Sequence, residues 1–554
     1  MQTVPGNLMR PTLDPEFYYL SNFHQALNWL QTRYADLLLT AESEFIDDFF
    51  DQPLAAQALL VRMIMRKGEH FRASKLNYNE IGDTLAAARP LLAKGWITDA
   101  AEMDIDTLSN LLRKDEIFQH LDTGPCRKTA AKTELLEYLQ ANYPHSSPFK
   151  NWCPTLADAV FSLTISEMCD RFRLMFFGNL HQDWTEFVLA DLGIFRYEPV
   201  ELTPDSRAFR QRSDVDAYLH LSHCREQFDA GLPVAEVLAL IHQQPYDNAF
   251  LLARRDKLSY RLAQQLERES DWAGALAVYR QCHYPGARLR HIRVLERLEQ
   301  RAAAHELALL ASAAPESAAE AQNVERILTR LNRQLGLPKA CKPTTAPVNR
   351  IDLTLPKPDS GSVETAVLEH FSSADAPVFY VENGLISSLF GLLCWEAVFA
   401  PVSGAFFHPF HSAPVDLHSP DFYTRRQALF DESIGLLDSD AYIEKIQRTF
   451  ADKLNTQSPF VFWGLLDQAL LTNALLCLPT EHLRAWFRRM LQDIKANRAG
   501  MPDLIQFWPK ERRYRMIEVK GPGDRLQDNQ IRWLSFCSEH GMPVDVCYVQ
   551  WAAA

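Results

Sequence analysis

At 554 residues the chain is too long for a single hydrophobic core, and three or four domains are expected. It is 47% apolar and 23% charged, an ordinary soluble globular composition. Its formal net charge of −13 opposes binding to nucleic acid through overall charge, so any phosphate contact has to come from local Lys and Arg clusters.

No positive, apolar, small-residue signal pattern opens the chain, which argues against export. The ten cysteines include no Cys-x-x-Cys, so a reducing compartment is expected and a thiolate zinc site is not. A cytoplasmic, nucleoid-associated protein fits these features.

Residues 1–73 read as a helical domain, with apolar positions at helical spacing through Phe23, Leu27 and Leu30 and again through Leu59, Met63 and Ile64. From 74 to 145 the pattern is one of short helices. Asn79 to Ile97 resembles a helix-turn-helix followed by an extended piece, and Leu108 to Arg113 with Lys128 to Leu139 resembles a small DNA-binding module of the SAP type. Residues 146–336 are again helical. Leu258 to Glu267 and Asp271 to Tyr279 form one helix-turn-helix pair similar to a tetratricopeptide unit, with small residues where helices would cross. Residues 337–361, rich in proline, read as a linker.

Three stretches are locally basic: Arg207, Arg210 and Arg212; Arg288, Arg290 and Arg293; and Arg484 to Arg498. Each fits a phosphate contact or a solvated helix face equally well.

Residues 362–554 form the last unit. Gly384 to Phe407 is apolar except for Glu396. A carboxylate there would cost about 2.5–3.5 kcal/mol at a bilayer centre, so a buried helix is expected and a membrane span is not. A central core helix is expected from Ser458-Pro459 to Leu478, since proline is tolerated at a first helical position. An amphipathic helix should run from Glu481 to Arg498 and stop at Gly500. Asp524 and Gln527 have the spacing of a capping box for a helix carrying Gln530 and Trp533, and Val544 to Val549 would be the final strand.

Between these helices, Gly500-Met501-Pro502-Asp503-Leu504-Ile505 and Ile517-Glu518-Val519-Lys520-Gly521-Pro522 read as two short strands. Strand side chains alternate faces, so Glu518 and Lys520 share one side and Ile517 and Val519 the other. With Asp503 at the mouth of its strand, two carboxylates and an ammonium fall in one small volume. That is the PD-(D/E)xK arrangement, suited to hard cations such as Mg²⁺ or Mn²⁺ and to phosphodiester cleavage. Pro-Asp recurs at Pro204-Asp205, Pro358-Asp359 and Pro420-Asp421, and acid-x-Lys at Asp493-Ile494-Lys495. Only the 503–520 stretch has strand-like apolar runs beside both halves. The plain alternative is an exposed ion pair between Glu518 and Lys520, which would contribute little.

The residues from Gly500 to Leu504 and from Glu518 to Trp533, with Glu382 to Phe399 and Pro414 to Leu417, resemble the VRR-NUC domain of bacterial Fanconi-associated nucleases. The resemblance implies an α+β multidomain protein, its SAP-like and tetratricopeptide-like helical half followed by an α/β PD-(D/E)xK nuclease domain. It further implies that Asp503, Glu518, Glu382 and the backbone carbonyl of Val519 bind Mg²⁺ or Mn²⁺ and that Lys520 is catalytic. Gln530 would support the ligands or touch substrate. The family's Glu-Gly is here Glu382-Asn383-Gly384.

The activity so implied is that of a 5′ flap endonuclease and 5′→3′ exonuclease of the phosphodiesterase I type. Its partner would be branched DNA with a 5′ flap, in interstrand crosslink repair, and no membrane is involved. No cysteine precedes Cys126, so the ubiquitin-binding zinc finger of eukaryotic members is not expected. The long helical half favours a monomer. A four-way-junction resolvase and a non-enzymatic DNA-structure-binding scaffold are the alternatives.

Overall fold

The computed structural model describes residues 16–129, 131–182, 184, 195–338, 348–358 and 360–552. The chain forms two compact units, the first made of 1–194 with 209–215 and the second of 195–208 with 216–554. Of the expected linker, 339–347 and 359 lie outside the described residues, and the reading is corrected over Asn349–Leu355, which form a strand paired in parallel with Val544–Trp551.

In the first unit, helices Tyr18–Arg33, Thr40–Phe50 and Leu54–Ile64 bury Phe23, Leu27, Leu30, Leu59 and Met63, the positions that carry the helical period. Asp83 caps Thr84–Ala93 through the N–H groups of Leu85 and Ala86. The strands His70–Arg72 and Ile97–Thr98 flank Val160–Leu163 in a small antiparallel sheet. Helices Ile105–Leu111, Lys114–His120 and Lys132–Asn142 enclose a core of Leu108, Ile117, Leu135, Leu139, Phe149 and Trp152. Arg72 ties that small module to the sheet by a bidentate bond to Glu116, at 2.6 and 2.9 Å, and a 2.7 Å bond to Asp158.

The second unit begins with helices packed each on its neighbour in chain order, Val234–Ile241, Ala249–Arg268, Trp272–Tyr279, Ala287–Arg297, Arg301–Ala313 and Ala318–Leu335. The pair 249–268 and 272–279 is the expected helix-turn-helix. Asp271 caps its second member by accepting the Gly274 N–H.

The five-stranded sheet of this unit contains β1 (Asn349–Leu355), β2 (Val378–Tyr380), β3 (Leu504–Trp508), β4 (Arg513–Lys520) and β5 (Val544–Trp551), in the order β1-β5-β4-β3-β2. β5 runs parallel to β1 and β4, and the remaining pairs are antiparallel. Both faces are covered. Ile517 and Val519 of β4 enter a small core with Leu504, Val367, Cys547 and Val549, while Tyr514 and Met516 face the large helical core around Phe390, Trp486 and Trp533.

Several expected helix limits are corrected. The apolar stretch after Gly384 is two short helices, Leu385–Leu393 and Trp395–Val398, rather than one reaching Phe407. The core helix is Gln468–Cys477 and does not start at Pro459, because the Asp467 carboxylate caps the Leu470 N–H and 463–465 form a turn. The helix expected through Arg498 breaks at Asp493, whose extended backbone (φ −158°) ends Thr480–Gln492 and caps the short Ile494–Asn497. The last capping box is one turn later than expected. Asp524 accepts the Gly521 N–H in a turn, and the helix is Asp528–Glu539 with Gln530 as its third residue. Gly500 stands at φ +92°, and a Cβ there would come within 2.8 Å of the Asn529 carbonyl carbon. Only glycine lets the chain turn so close to that helix before entering β3. Among the described residues no helix is long and apolar enough to cross a membrane.

Candidate active site

β3 and β4 pair with Leu504 opposite Ile517, which places Asp503, just before β3, beside Glu518. The Val519 N–H donates to Asp503 Oδ2 at 2.8 Å. Asp503 also receives at its backbone carbonyl the N–H groups of Val381 and Glu382, at 2.8 and 3.2 Å, so the turn bearing Glu382 is fastened to it. Glu518 lies between the core-facing Ile517 and Val519, with no exposed surface. Its Oε1 accepts from Lys520 Nζ at 2.7 Å and from Gln530 Nε2 at 2.6 Å. Its Oε2 is buried with no hydrogen-bond partner among the described residues.

Gln530 has a fixed orientation because its own Oε1 accepts the Gln527 N–H at 2.9 Å; its amide nitrogen is thereby aimed at Glu518. The Val519 side chain is buried in the small core and its N–H is held by Asp503. Asn383 takes a left-handed conformation, φ +55°, which asparagine tolerates better than most residues. Its Oδ1 accepts the Met501 N–H at 3.1 Å. The departure from Glu-Gly thus gives the turn a side-chain tie to the Pro-Asp segment. All four expected side chains, Glu382, Asp503, Glu518 and Lys520, lie at this one end of β3 and β4.

Burial pushes Asp503 up to about 6, with Glu364 and Glu382 raising it further against the Val519 N–H and Lys520, which lower it. Burial likewise lifts Glu518 to about 7, helped by the charge of Asp503 and opposed by Lys520. Two carboxyls held above their ordinary range, one with an orphaned oxygen, are electrostatically short of a cation. As they stand, no three such side chains among the described residues converge closely enough to hold an ion. Glu518 is drawn to Lys520 and Gln530, and Glu382 to Tyr380 and Asn383. The oxygen-donor set fits a hard divalent cation once those interactions rearrange.

Nothing in the sequence singles out Glu364. It lies in the first turn of Val363–Phe371 and looks like any helix-start acid. Only the packing of that helix on β4 brings its charge near Asp503.

The basic clusters are largely engaged within the fold. Arg212 pairs with Glu42 at 2.6 Å, Arg288 with Glu320 at 2.5 Å, Arg290 with Glu267 at 3.0 Å and Arg484 with Asp438 at 2.6 Å. Arg489 stacks over Trp533 and Phe536. Arg293, Arg488 and Lys495 remain exposed, as do Arg127, Lys128 and Lys132 of the small helical module.

Family models match in three places: the VRR-NUC domain over 438–551, the FAN1 HTH domain over 17–98 and the Fanconi anemia-associated nuclease SAP domain over 102–152. The Fanconi-associated nuclease 1 homolog of Pseudomonas aeruginosa is 55% identical over 549 residues, covering 99% of this chain and 98% of that protein. The chain belongs to the Fanconi-associated nuclease 1 family. This family member is also 25% identical to the homolog of Oryza sativa subsp. japonica, over 98% of its own length and 63% of the rice protein. It is 30% identical to human Fanconi-associated nuclease 1 over 34% of its own length and 19% of the human protein. The crystal structure of paFAN1 bound to 2nt 5′ flap DNA with gap superposes with a TM-score of 0.88 at 55% identity, covering 98% of this chain and 100% of that one. The Fanconi-associated nuclease described here is therefore a nuclease with a divalent-metal-dependent VRR-NUC domain behind a helical half containing helix-turn-helix and SAP domains.

Proposed function

We propose that this family member is a structure-selective DNA nuclease, a 5′ flap endonuclease and 5′→3′ exonuclease of the phosphodiesterase I type, acting as a monomer in interstrand crosslink repair. The observation that carries this reading is that Asp503, Glu518, Glu382 and Lys520 all lie at one end of β3 and β4. Similarity along the whole chain to paFAN1, whose crystal structure holds 5′ flap DNA, supports the substrate.

Asp503, Glu518, Glu382 and the Val519 carbonyl would hold Mg²⁺ or Mn²⁺, which supplies Lewis acidity and an activated water. Asp503 also fixes the strand that presents Glu518, through the Val519 N–H. Gln530 orients Glu518 by holding Oε1, leaving Oε2 as the free ligand oxygen. Lys520 brings a compact positive charge to the place where negative charge grows on the phosphate. Exposed Arg127, Lys128 and Lys132 are the candidate contacts to a duplex arm, setting register through phosphates.

The test is incubation of end-labelled 5′ flap, 3′ flap, four-way junction and plain duplex DNA with the full chain and Mn²⁺. Preferential incision of the 5′ flap is expected. Symmetric cutting of the four-way junction in preference to the flap would favour a resolvase.

A further inference from the structure

We propose that Tyr380 is a positioning residue of this site, its hydroxyl setting the carboxylate of Glu382 for divalent-metal binding. The inference rests on reading the site as a metal centre. Tyr380 ends β2 and pairs with Leu504 of β3, so its backbone is fixed within the sheet beside the residue that follows Asp503. Its hydroxyl donates to Glu382 Oε2. Asn383 Nδ2 donates to the other oxygen at 3.2 Å, a longer bond from a residue also tied to the Met501 N–H.

Glu382 is itself an exposed side chain on a turn. Unlike Glu518, clamped by Lys520 and Gln530 in a buried setting, it has no packed walls to choose its rotamer. A long, exposed acidic side chain loses rotamer freedom when it becomes a ligand. The Tyr380 hydroxyl removes part of that freedom beforehand. A carboxylate offers about four lone-pair sites, and one bond at each oxygen leaves room for a cation.

The phenol ring is anchored on β2 and its hydroxyl donates to Glu382 Oε2. Tyr380 is also 46% exposed, so removal of its hydroxyl leaves no buried void, and Tyr380→Phe keeps the ring on β2.

Partners that orient metal ligands typically change metal affinity by about 10–100-fold when removed. The experiment is a Mn²⁺ titration of the full chain, followed by the resonance of free Mn²⁺, for wild type, Tyr380→Phe and Glu518→Gln. The expected result is about a tenfold weaker affinity in Tyr380→Phe, with the metal-free melting temperature unchanged and cleavage restored by raising Mn²⁺. Glu518→Gln should lose binding almost completely. Wild-type affinity in Tyr380→Phe, with binding lost in Glu518→Gln, would overturn the role of Tyr380 and leave the metal centre standing. Equal binding by wild type and Glu518→Gln would overturn the metal centre, and the role of Tyr380 with it.

Discussion

The Asp503 carboxylate accepts the Val519 backbone N–H at 2.8 Å, so one acidic residue both belongs to the candidate metal cluster and pins the strand that carries the rest of it. Its replacement should therefore act in two ways. Asp503→Asn keeps an acceptor for Val519 and should lose cleavage with little loss of stability. Asp503→Ala also orphans a buried N–H and should cost about 1–3 kcal/mol more. Denaturant melts of the two purified variants measure the difference, and equal stability would show that the Val519 bond contributes nothing.

Metal-free stability should fall as pH rises. Burial holds Asp503 at about 6 and Glu518 at about 7, above their ordinary values, so between about pH 4 and 7 the folded chain binds protons more tightly than the unfolded chain. The stability from these groups is complete below the ordinary carboxylate range and is lost as pH passes through the raised values. The change should be on the order of 1–3 kcal/mol. In chelator, the melting temperature of wild type should drop more between about pH 5 and 8 than that of Glu518→Gln. Parallel profiles would mean that Glu518 is not strained by its burial.

Gln530 links the last helix to the cluster, accepting from Gln527 at 2.9 Å and donating to Glu518 at 2.6 Å. Gln530→Glu keeps the cap acceptor but turns the donor into a second carboxylate against Glu518. Turnover should fall strongly while helix stability is held. Gln530→Ala loses both and should cost about 0.5–1.5 kcal/mol in addition. If Gln530→Glu cleaves like wild type, the bond to Glu518 does not serve catalysis.

β1, residues Asn349–Leu355, pairs parallel with β5 over its whole length. A fragment of residues 362–554 would bare the edge of β5, an unpaired row of backbone groups prone to association. Residues 348–554 should be markedly more soluble and melt at a higher temperature than 362–554. Similar behaviour on gel filtration would show that β1 is dispensable. This strand lies in the proline-rich stretch that reads as a linker, where Asn349-Arg350-Ile351-Asp352-Leu353-Thr354-Leu355 alternates polar and apolar residues.

The cluster itself is legible in the sequence because alternation along β4 is a local property: Glu518 and Lys520 have to share a side. The limits of the helices are less so. Asp467 and Asp493, which set two of them by capping, look like other acids until the chain around them is folded, and Pro459 signals a helix start equally well where none forms. Tyr380 and Glu364 escape a reading of the sequence for a different reason. Both lie far along the chain from Asp503, and only the pairing of β2 with β3 and the packing of helix Val363–Phe371 on β4 bring them near it.

Exposed Lys128 and Lys132 should contribute to DNA affinity through phosphates. Lys128→Ala with Lys132→Ala should weaken flap and duplex binding alike and lessen the slope of log affinity against log salt by about 0.9 for each phosphate no longer neutralised. An unchanged slope, measured by fluorescence anisotropy, would place the phosphate-binding surface elsewhere.

The most direct measurement of the central claim is single-turnover cleavage of an end-labelled 5′ flap in Mn²⁺ by wild type, Lys520→Ala and Glu518→Gln, alongside their affinities for the same DNA. Wild type should incise the flap; Glu518→Gln should be inactive, and Lys520→Ala slower by orders of magnitude with flap affinity nearly unchanged. Wild-type cleavage rates in both variants would contradict the assignment of the site to this end of β3 and β4.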